Sequence, residues 1–265
     1  MNPDAVTAPG LIEMKKRGEK ITFLTAYDYP LGRLVDDAGI DVALVGDSLG
    51  MVVLGYDSPL QVTMEDMVRH AAAVSRGVNR ALVVADMPFL SYQVNDDEAV
   101  RNAGRLVQEG HAQAVKLEGG ERVASAVARI AAAGIPVIGH VGLTPQSVHK
   151  FGGMRKMAGK DPAGAAQIRQ DALALQDAGA SAVVLESIPA QLAKEITESL
   201  EIPTIGIGAG PDCDGQVLVA HDIIGLYDKF VPSFAKQYAN VWQVISDAFA
   251  AYNTEVKEGK FPQRK

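Results

Sequence analysis

The chain has 265 residues, 48% hydrophobic and 22% charged, enough to bury a sizeable core without disulfides or a structural metal. Its formal net charge of −7 argues against nucleic acid, whose phosphates are bound by clustered Lys and Arg. A single cysteine, Cys213, excludes an internal disulfide and a cysteine-based zinc site and points to a reducing compartment. The absence of a signal-peptide core or a long apolar span makes a cytoplasmic, membrane-free protein the expectation.

Taken in chain order, short apolar β-branched runs occupy 21–27 (ITFLTAY), 41–47 (DVALVGD), 81–88 (ALVVADMP), 114–119 (AVKLEG), 135–142 (IPVIGHVG), 182–187 (AVVLES), 203–210 (PTIGIGAG) and 222–227 (DIIGLY). Continuous apolar runs suit parallel strands covered on both faces. The segments between them carry helix-start chemistry: Thr63 with Asp66, Asn95 with Glu98, Asp161 before Pro162, and Pro189 after Ser187. Gly39, Gly110, Gly134 and Gly179 stand where a helix closes in a left-handed residue before the next strand. The spacing predicts a further helix over 233–257, with an apolar excess to set against the barrel or a neighbouring subunit. Lys15, Lys16 and Arg17, and the Asp212 and Asp214 pair, read as solvated. Strand and helix alternating without a linker predict an α/β fold: a single (β/α)8 TIM barrel domain over 1–265 with extra C-terminal helices.

Barrel active sites lie at the carboxyl ends of the strands. Strand two ends in Asp47-Ser48, strand three in Asp86, strand four carries Lys116 and Glu118, strand five His140, and strand six ends in Glu186. Barrel interiors are normally filled by branched apolar side chains, so this many ionisable groups at one rim points to chemistry. Asp47 and Asp86 could supply oxygens to Mg²⁺, which keeps several waters and leaves room for substrate; the alternative is that each caps the helix that follows. Lys116 and Glu118, two apart on a strand, point to one face, either as a buried ion pair or as a site. Lys116 suits a substrate carboxylate or a developing enolate oxygen, and Glu118 a metal or its water. Glu186, after the most apolar strand, suits a general base, with a helix N-terminal acid as its plainer reading. His140 reads equally as a packed histidine and as a substrate contact. GIGAG (206–210) lacks the dinucleotide spacing and reads as a tight glycine turn or a weak phosphate cradle.

Longer motifs carry a resemblance: LTAYD (24–28), VGDSLGMVVLGYDS (45–58), DMPF (86–89), VKLEGG (115–120), HVGLTPQSVHKFGG (140–153), VLES (184–187), IGIGAGPDCDGQVLV (205–219) and EVKEGKFP (255–262). Over nearly its whole length the chain resembles the ketopantoate hydroxymethyltransferases of pantothenate synthesis. The resemblance implies Mg²⁺ at Asp47, Asp86 and Glu118; 3-methyl-2-oxobutanoate at Asp47, Ser48, Asp86 and Lys116; Glu186 as proton acceptor; and 5,10-methylenetetrahydrofolate as co-substrate. A Mg-stabilised enolate would attack the one-carbon unit and give 2-dehydropantoate. A homo-oligomer, in bacteria usually a decamer, is also implied. The chain departs from the family pattern around Met154 in FGGMRKMAGK (151–160) and in SPLQVT (58–63). A metal-dependent oxo-acid lyase or phosphomutase of the related barrel class is the competing enzymatic reading. Its frequent acidic lid cysteine has no counterpart here but Cys213. A non-catalytic metabolite-binding barrel is a third reading, disfavoured by the retention of every carboxylate.

Overall fold

A computed structural model describes residues 4–153, 157–227 and 232–263. Two compact units make up the chain, Met1–Val217 and Leu218–Lys265. The strands are β1 (Ile21–Thr25), β2 (Val42–Val45), β3 (Leu82–Asp86), β4 (Ala114–Glu118), β5 (Val137–Gly142), β6 (Ala182–Glu186), β7 (Thr204–Ile207) and β8 (Gly215–Leu218). They pair in sequence order as a closed barrel of parallel strands, the (β/α)8 architecture read from the alternating runs.

The first unit carries α1 (Ala8–Lys16), α2 (Tyr29–Asp37), α3 (Leu49–Val52), α4 (Met64–Gly77), α5 (Asp96–Gln108), α6 (Ala124–Ala132), α7 (Val148–Phe151), α8 (Pro162–Asp177) and α9 (Ala190–Ser199); the second carries α10 (Ala220–Ile223) and α11 (Val241–Lys257). The predicted helix starts hold. Thr63 and Asp66 form a reciprocal capping box, Asn95 accepts from the Glu98 amide, and Asp161 caps a helix whose first residue is Pro162. Gly39, Gly134 and Gly179 take the left-handed conformation expected of them.

The strand period of two divides the interior. Leu82 and Val84 precede Asp86 on β3, Ala114 precedes Lys116 and Glu118 on β4, Ile138 precedes His140 on β5, and Ala182 and Val184 precede Glu186 on β6. The apolar members of this alternation join Leu11 of α1 in one buried cluster that fills the amino-terminal half of the barrel. Residues of opposite parity, such as Val83, Val115 and Val183, belong instead to the layer between sheet and helices. Fully burying a side chain such as Leu11 contributes about 2 kcal/mol, so α1 is a hydrophobic plug under a barrel whose upper layer is free to be polar.

Four expectations are corrected. The eighth strand is Gly215–Leu218, not 222–227, where Ala220–Ile223 is a short helix. A brief apolar run cannot by itself distinguish strand from helix, and what decides here is closure: a Cβ on Gly215 would lie 2.3 Å from the Ile21 carbonyl, so only glycine lets the chain approach β1. The last helix begins at Val241, capped by Asn240, rather than at Ser233. Gly110 is not left-handed; its neighbour His111 is, and Gly110 is required because a Cβ there would meet the Leu106 carbonyl at 2.6 Å. Lys15 and Asp214 are not solvated: their side chains pair at 2.9 Å, and Asp214 also accepts from the Thr204 amide. This pair ties α1 to the start of β7. The turn at SPLQVT holds a short 3-10 helix, Pro59–Gln61, while Met154 lies outside the described residues.

Candidate active site

The barrel register sets the polar layer. Asp86 pairs with Lys116 across β3 and β4, Glu118 with His140 across β4 and β5, and Gly142 with Glu186 across β5 and β6. Asp47, Asp86, Lys116, Glu118 and His140 are all buried, whereas the Glu186 side chain keeps 17% exposure at the mouth. Both alternatives to a site can be tested against these positions. Neither aspartate caps a helix: α3 starts after Ser48 with no side-chain cap, and Asp86 Oδ2 accepts from the Asp47 amide at 3.0 Å. Lys116 and Glu118 do not pair with each other in isolation; Lys116 Nζ lies 2.8 Å from Asp86 Oδ1, and Glu118 Oε1 lies 3.5 Å from His140 Nδ1.

His140 bridges the two glutamates, with its Nε2 3.2 Å from Glu186 Oε2. Burial opposes its charge most strongly and Lys116 adds to that, yet Glu118 and Glu186 outweigh both and raise it to about 9. Lys116 is likewise disfavoured by burial but held above the ordinary lysine value by Asp86, Glu118 and Asp47. Asp47 is raised as well, but for a carboxyl this favours the neutral form. Desolvation first, then the charges of Asp86 and Glu118, push its carboxyl well above the usual range against the help of Lys116 and Gln146.

Four acidic side chains thus share the layer with Lys116 and His140, and Asp86 Oδ1, although beside Lys116, makes no hydrogen bond of good geometry. Among the described residues no three His, Cys, Asp or Glu side chains already stand as a metal cage. A hard cation that keeps several waters needs only one or two carboxylates, however, and its charge would offset the burial and carboxylate repulsion that disfavour ionised Asp47. The donor set therefore fits Mg²⁺.

Close backbone approach shapes the rim. A Cβ on Gly46 would lie 2.8 Å from Ser48 Oγ, and one on Gly142, at φ 95°, would lie 2.3 Å from the Glu186 carbonyl. Ser187 adopts φ 48° directly after Glu186, a strained turn at the point where the carboxylate leaves the strand. Ser48 Oγ lies 2.8 Å from Tyr27 Oη. Three residues given no role in the sequence reading also enter the layer or its support: Tyr27, Tyr92 and Gln146. Gln146 follows Pro145 in the loop after β5; it lies within the motif HVGLTPQSVHKFGG, and a polar residue held by a proline-started turn at that rim is the local signal for it.

A cavity of about 730 Å³ opens beside the ends of β4 and β5. Apolar Leu143, Met157 and Ile168 share its wall with the cations Arg122, Lys150 and Lys160 and with the carboxylates Glu121, Asp161 and Asp171. Cys213 sits elsewhere, 3.0 Å from where a Cβ on Gly206 would be and close to Thr197 and Thr204 at the amino end of β7. Burial pushes its thiol up, which suits packing rather than catalysis. Gly208 and Gly210 are both left-handed, as a tight glycine turn requires.

Among known proteins, the chain is 58% identical over 259 residues to the 3-methyl-2-oxobutanoate hydroxymethyltransferase of Syntrophus aciditrophicus, covering 98% of this chain and 95% of that one. It is 57% identical over 262 residues to the enzyme of the same name from Carboxydothermus hydrogenoformans, covering 99% and 95%. In fold it is similar to a phosphonopyruvate hydrolase solved with oxalate and Mg²⁺, at TM-score 0.64 and 13% identity over 96% of this chain and 88% of that one. A 2,3-dimethylmalate lyase of the PEP mutase/isocitrate lyase superfamily gives TM-score 0.62 at 16% identity, covering 98% and 91%. At such identities these two speak for the barrel alone. The family model described as ketopantoate hydroxymethyltransferase matches residues 5–264, and the chain belongs to that family.

Proposed function

We propose that the chain transfers a hydroxymethyl group from 5,10-methylenetetrahydrofolate to 3-methyl-2-oxobutanoate, giving 2-dehydropantoate for pantothenate synthesis. At its coarsest this is one-carbon transfer between small molecules, in keeping with the names of its relatives. The observation that carries the reading is the layer of Asp47, Asp86, Lys116, Glu118, His140 and Glu186, set by strand register at the carboxyl end of a barrel that is apolar below.

Asp47 and Asp86, with Glu118, would hold Mg²⁺, whose chemistry there is Lewis-acid polarisation of the oxo-acid. Everything else falls to the chain. Ser48 and Lys116 donate to the carboxylate and ketone oxygens of 3-methyl-2-oxobutanoate, with Asp47 and Asp86 lining the same substrate site. Glu186, the most exposed of the carboxylates, takes the proton from C3. Lys116, kept cationic by its three carboxylate neighbours, faces the oxygen on which negative charge then develops. His140, between Glu118 and Glu186, aims the base and completes the substrate wall. The carbanionic C3 attacks the methylene carbon of the folate, and water releases tetrahydrofolate with the product.

The cavity beside β4 and β5 is large enough for an extended pterin and aryl tail, with cations for its terminal carboxylates. We place the reaction in the cytoplasm, which suits the lone buried thiol; among the described residues no helix is long and apolar enough to cross a membrane. A homo-oligomer, a decamer on the family pattern, completes the proposal. The lyase reading lacks its acid, since Cys213 lies at the amino end of the barrel.

The test is proton–deuteron exchange at C3 of 3-methyl-2-oxobutanoate in D₂O, followed by NMR with Mg²⁺ or EDTA. Exchange that requires Mg²⁺ and disappears in Glu186→Gln is expected; exchange persisting in Glu186→Gln would remove Glu186 as the base.

A further inference from the structure

Gln146, from outside the polar layer, hydrogen-bonds two of the candidate metal carboxylates at once. Its Nε2 donates to Asp47 Oδ2 and to the Met87 carbonyl, both at 2.9 Å, and its backbone N–H donates to Glu118 Oε2 at 2.9 Å. Its Oε1 accepts from the Tyr92 hydroxyl at 2.7 Å and from Gln93 Nε2 at 3.2 Å. The orientation of the amide follows from these partners. A carbonyl and a carboxylate on one side require the NH₂ there, and on the other the Tyr92 hydroxyl, which accepts from the Glu118 amide at 3.0 Å, has one proton to share between Gln146 Oε1 at 2.7 Å and the more distant Glu118 carbonyl at 3.1 Å. Gln146 and Tyr92 are both buried, so each of these groups would be costly to leave unpaired.

The consequence concerns which oxygens remain available. Asp47 Oδ2 and Glu118 Oε2 are each engaged by Gln146, which leaves to other partners Oδ1 of Asp47 and Oε1 of Glu118, the latter 3.5 Å from His140 Nδ1. Carboxylates two strands apart are thereby fixed in rotation by a single residue from a third element, the 3-10 turn Pro145–Ser147 after β5. That turn is in turn pinned by Tyr92, whose hydroxyl spans the Glu118 backbone and the Gln146 side chain.

We infer that Gln146, oriented by Tyr92, is a positioning residue that selects the metal-facing oxygens of Asp47 and Glu118. The inference rests on the metal reading above. Groups that hydrogen-bond a metal's carboxylate ligands commonly govern its affinity by about 10–100-fold when removed. Gln146→Met keeps the side-chain length, removes the donor to Asp47 and the acceptor for Tyr92, and leaves the backbone bond to Glu118. Tyr92→Phe removes only the hydroxyl.

The experiment titrates Mn²⁺ into the full-length, metal-free protein and its variants, followed by electron paramagnetic resonance, with melting temperature measured alongside. Gln146→Met is expected to weaken Mn²⁺ by about 10–100-fold and to broaden the spectrum of the bound ion. Tyr92→Phe is expected to weaken it by a smaller factor in the same direction, and the double variant to be no weaker than Gln146→Met, since Tyr92 acts through Gln146. A purely structural role would lower the melting temperature and leave the bound-ion spectrum as in the wild type, and that result overturns the inference, as does wild-type affinity in both single variants. If Gln146→Met does not fold, Tyr92→Phe decides on the same two readouts. Failure of the wild type itself to bind Mn²⁺ would instead overturn the metal reading.

Discussion

His140 Nε2 lies 3.2 Å from Glu186 Oε2, so the residue proposed as base rests on an imidazole that remains charged until about pH 9. A histidine whose folded value is raised above its ordinary 6.5 contributes stability that is fully present below 6.5 and is lost as pH rises through 9. In the metal-free protein, the stability advantage of wild type over His140→Asn should therefore shrink steadily between those values, by at most about 3 kcal/mol. Urea unfolding at closely spaced pH values measures this. An advantage that stays flat or grows with pH would mean that His140 is neutral in the folded state.

Asp47 titrates in the opposite role, as the group that a cation must compete with. Burial and the nearby charges of Asp86 and Glu118 hold its carboxyl well above the ordinary range, so its proton must leave before its oxygens can serve as ligands. Mg²⁺ should accordingly bind more tightly as pH rises. Its stabilisation, which follows the logarithm of concentration over Kd, should rise in parallel. Melting temperature with fixed excess Mg²⁺ or EDTA at each pH checks the direction, and a Mg²⁺ effect that is largest at the acid end would contradict it.

Lys116 is the buried cation closest to the paired aspartates, with Nζ 2.8 Å from Asp86 Oδ1. Replacing it by methionine preserves most of the packing but leaves Asp86 without its ion pair, and breaking one side of a buried pair costs about 3–5 kcal/mol. Metal-free Lys116→Met should be destabilised by about that much, and Mg²⁺ should restore part of the loss by supplying charge to the same carboxylates. Activity should not return with stability, because the stabiliser of the developing oxyanion is gone; removing one such donor lowers kcat about 10²–10³-fold. Denaturant titration and steady-state rates at saturating Mg²⁺ separate the two effects. Recovery of both would mean that Lys116 only neutralises the cluster.

The polar layer was legible because ionisable residues at strand ends violate the apolar rule of a barrel interior, and the period of two on β4 already placed Lys116 and Glu118 on one face. Gln146 and Tyr92 were not, since an uncharged polar residue in a loop breaks no compositional rule and its role depends on contacts between distant segments. The same division holds for the fold. β1 to β7 announced themselves as apolar runs, whereas β8 is four residues whose identity depends on Gly215 approaching β1, a long-range fact that no local pattern encodes. Asp214 likewise read as a loop residue because its partners, Lys15 and Thr204, lie far from it in sequence or across a turn.

α11 has no buried residue, yet Trp242, Ile245, Phe249, Tyr252 and Val256 follow the three- and four-residue spacing of a single helical face. Phe249 is 71% exposed and Tyr252 59%. A stripe of large apolar side chains in water is the usual mark of an association surface, and a second copy of the chain is the partner that the proposed homo-oligomer supplies. Wild-type protein should therefore run in solution as a multiple of the chain mass. Phe249→Asp, which puts a charge in the middle of the stripe at a largely exposed position, should shift it to a smaller species while leaving the circular dichroism of the barrel unchanged. Multi-angle light scattering across a concentration series reads both. An assembly of unaltered mass in Phe249→Asp would show that the contacts between copies lie on another face.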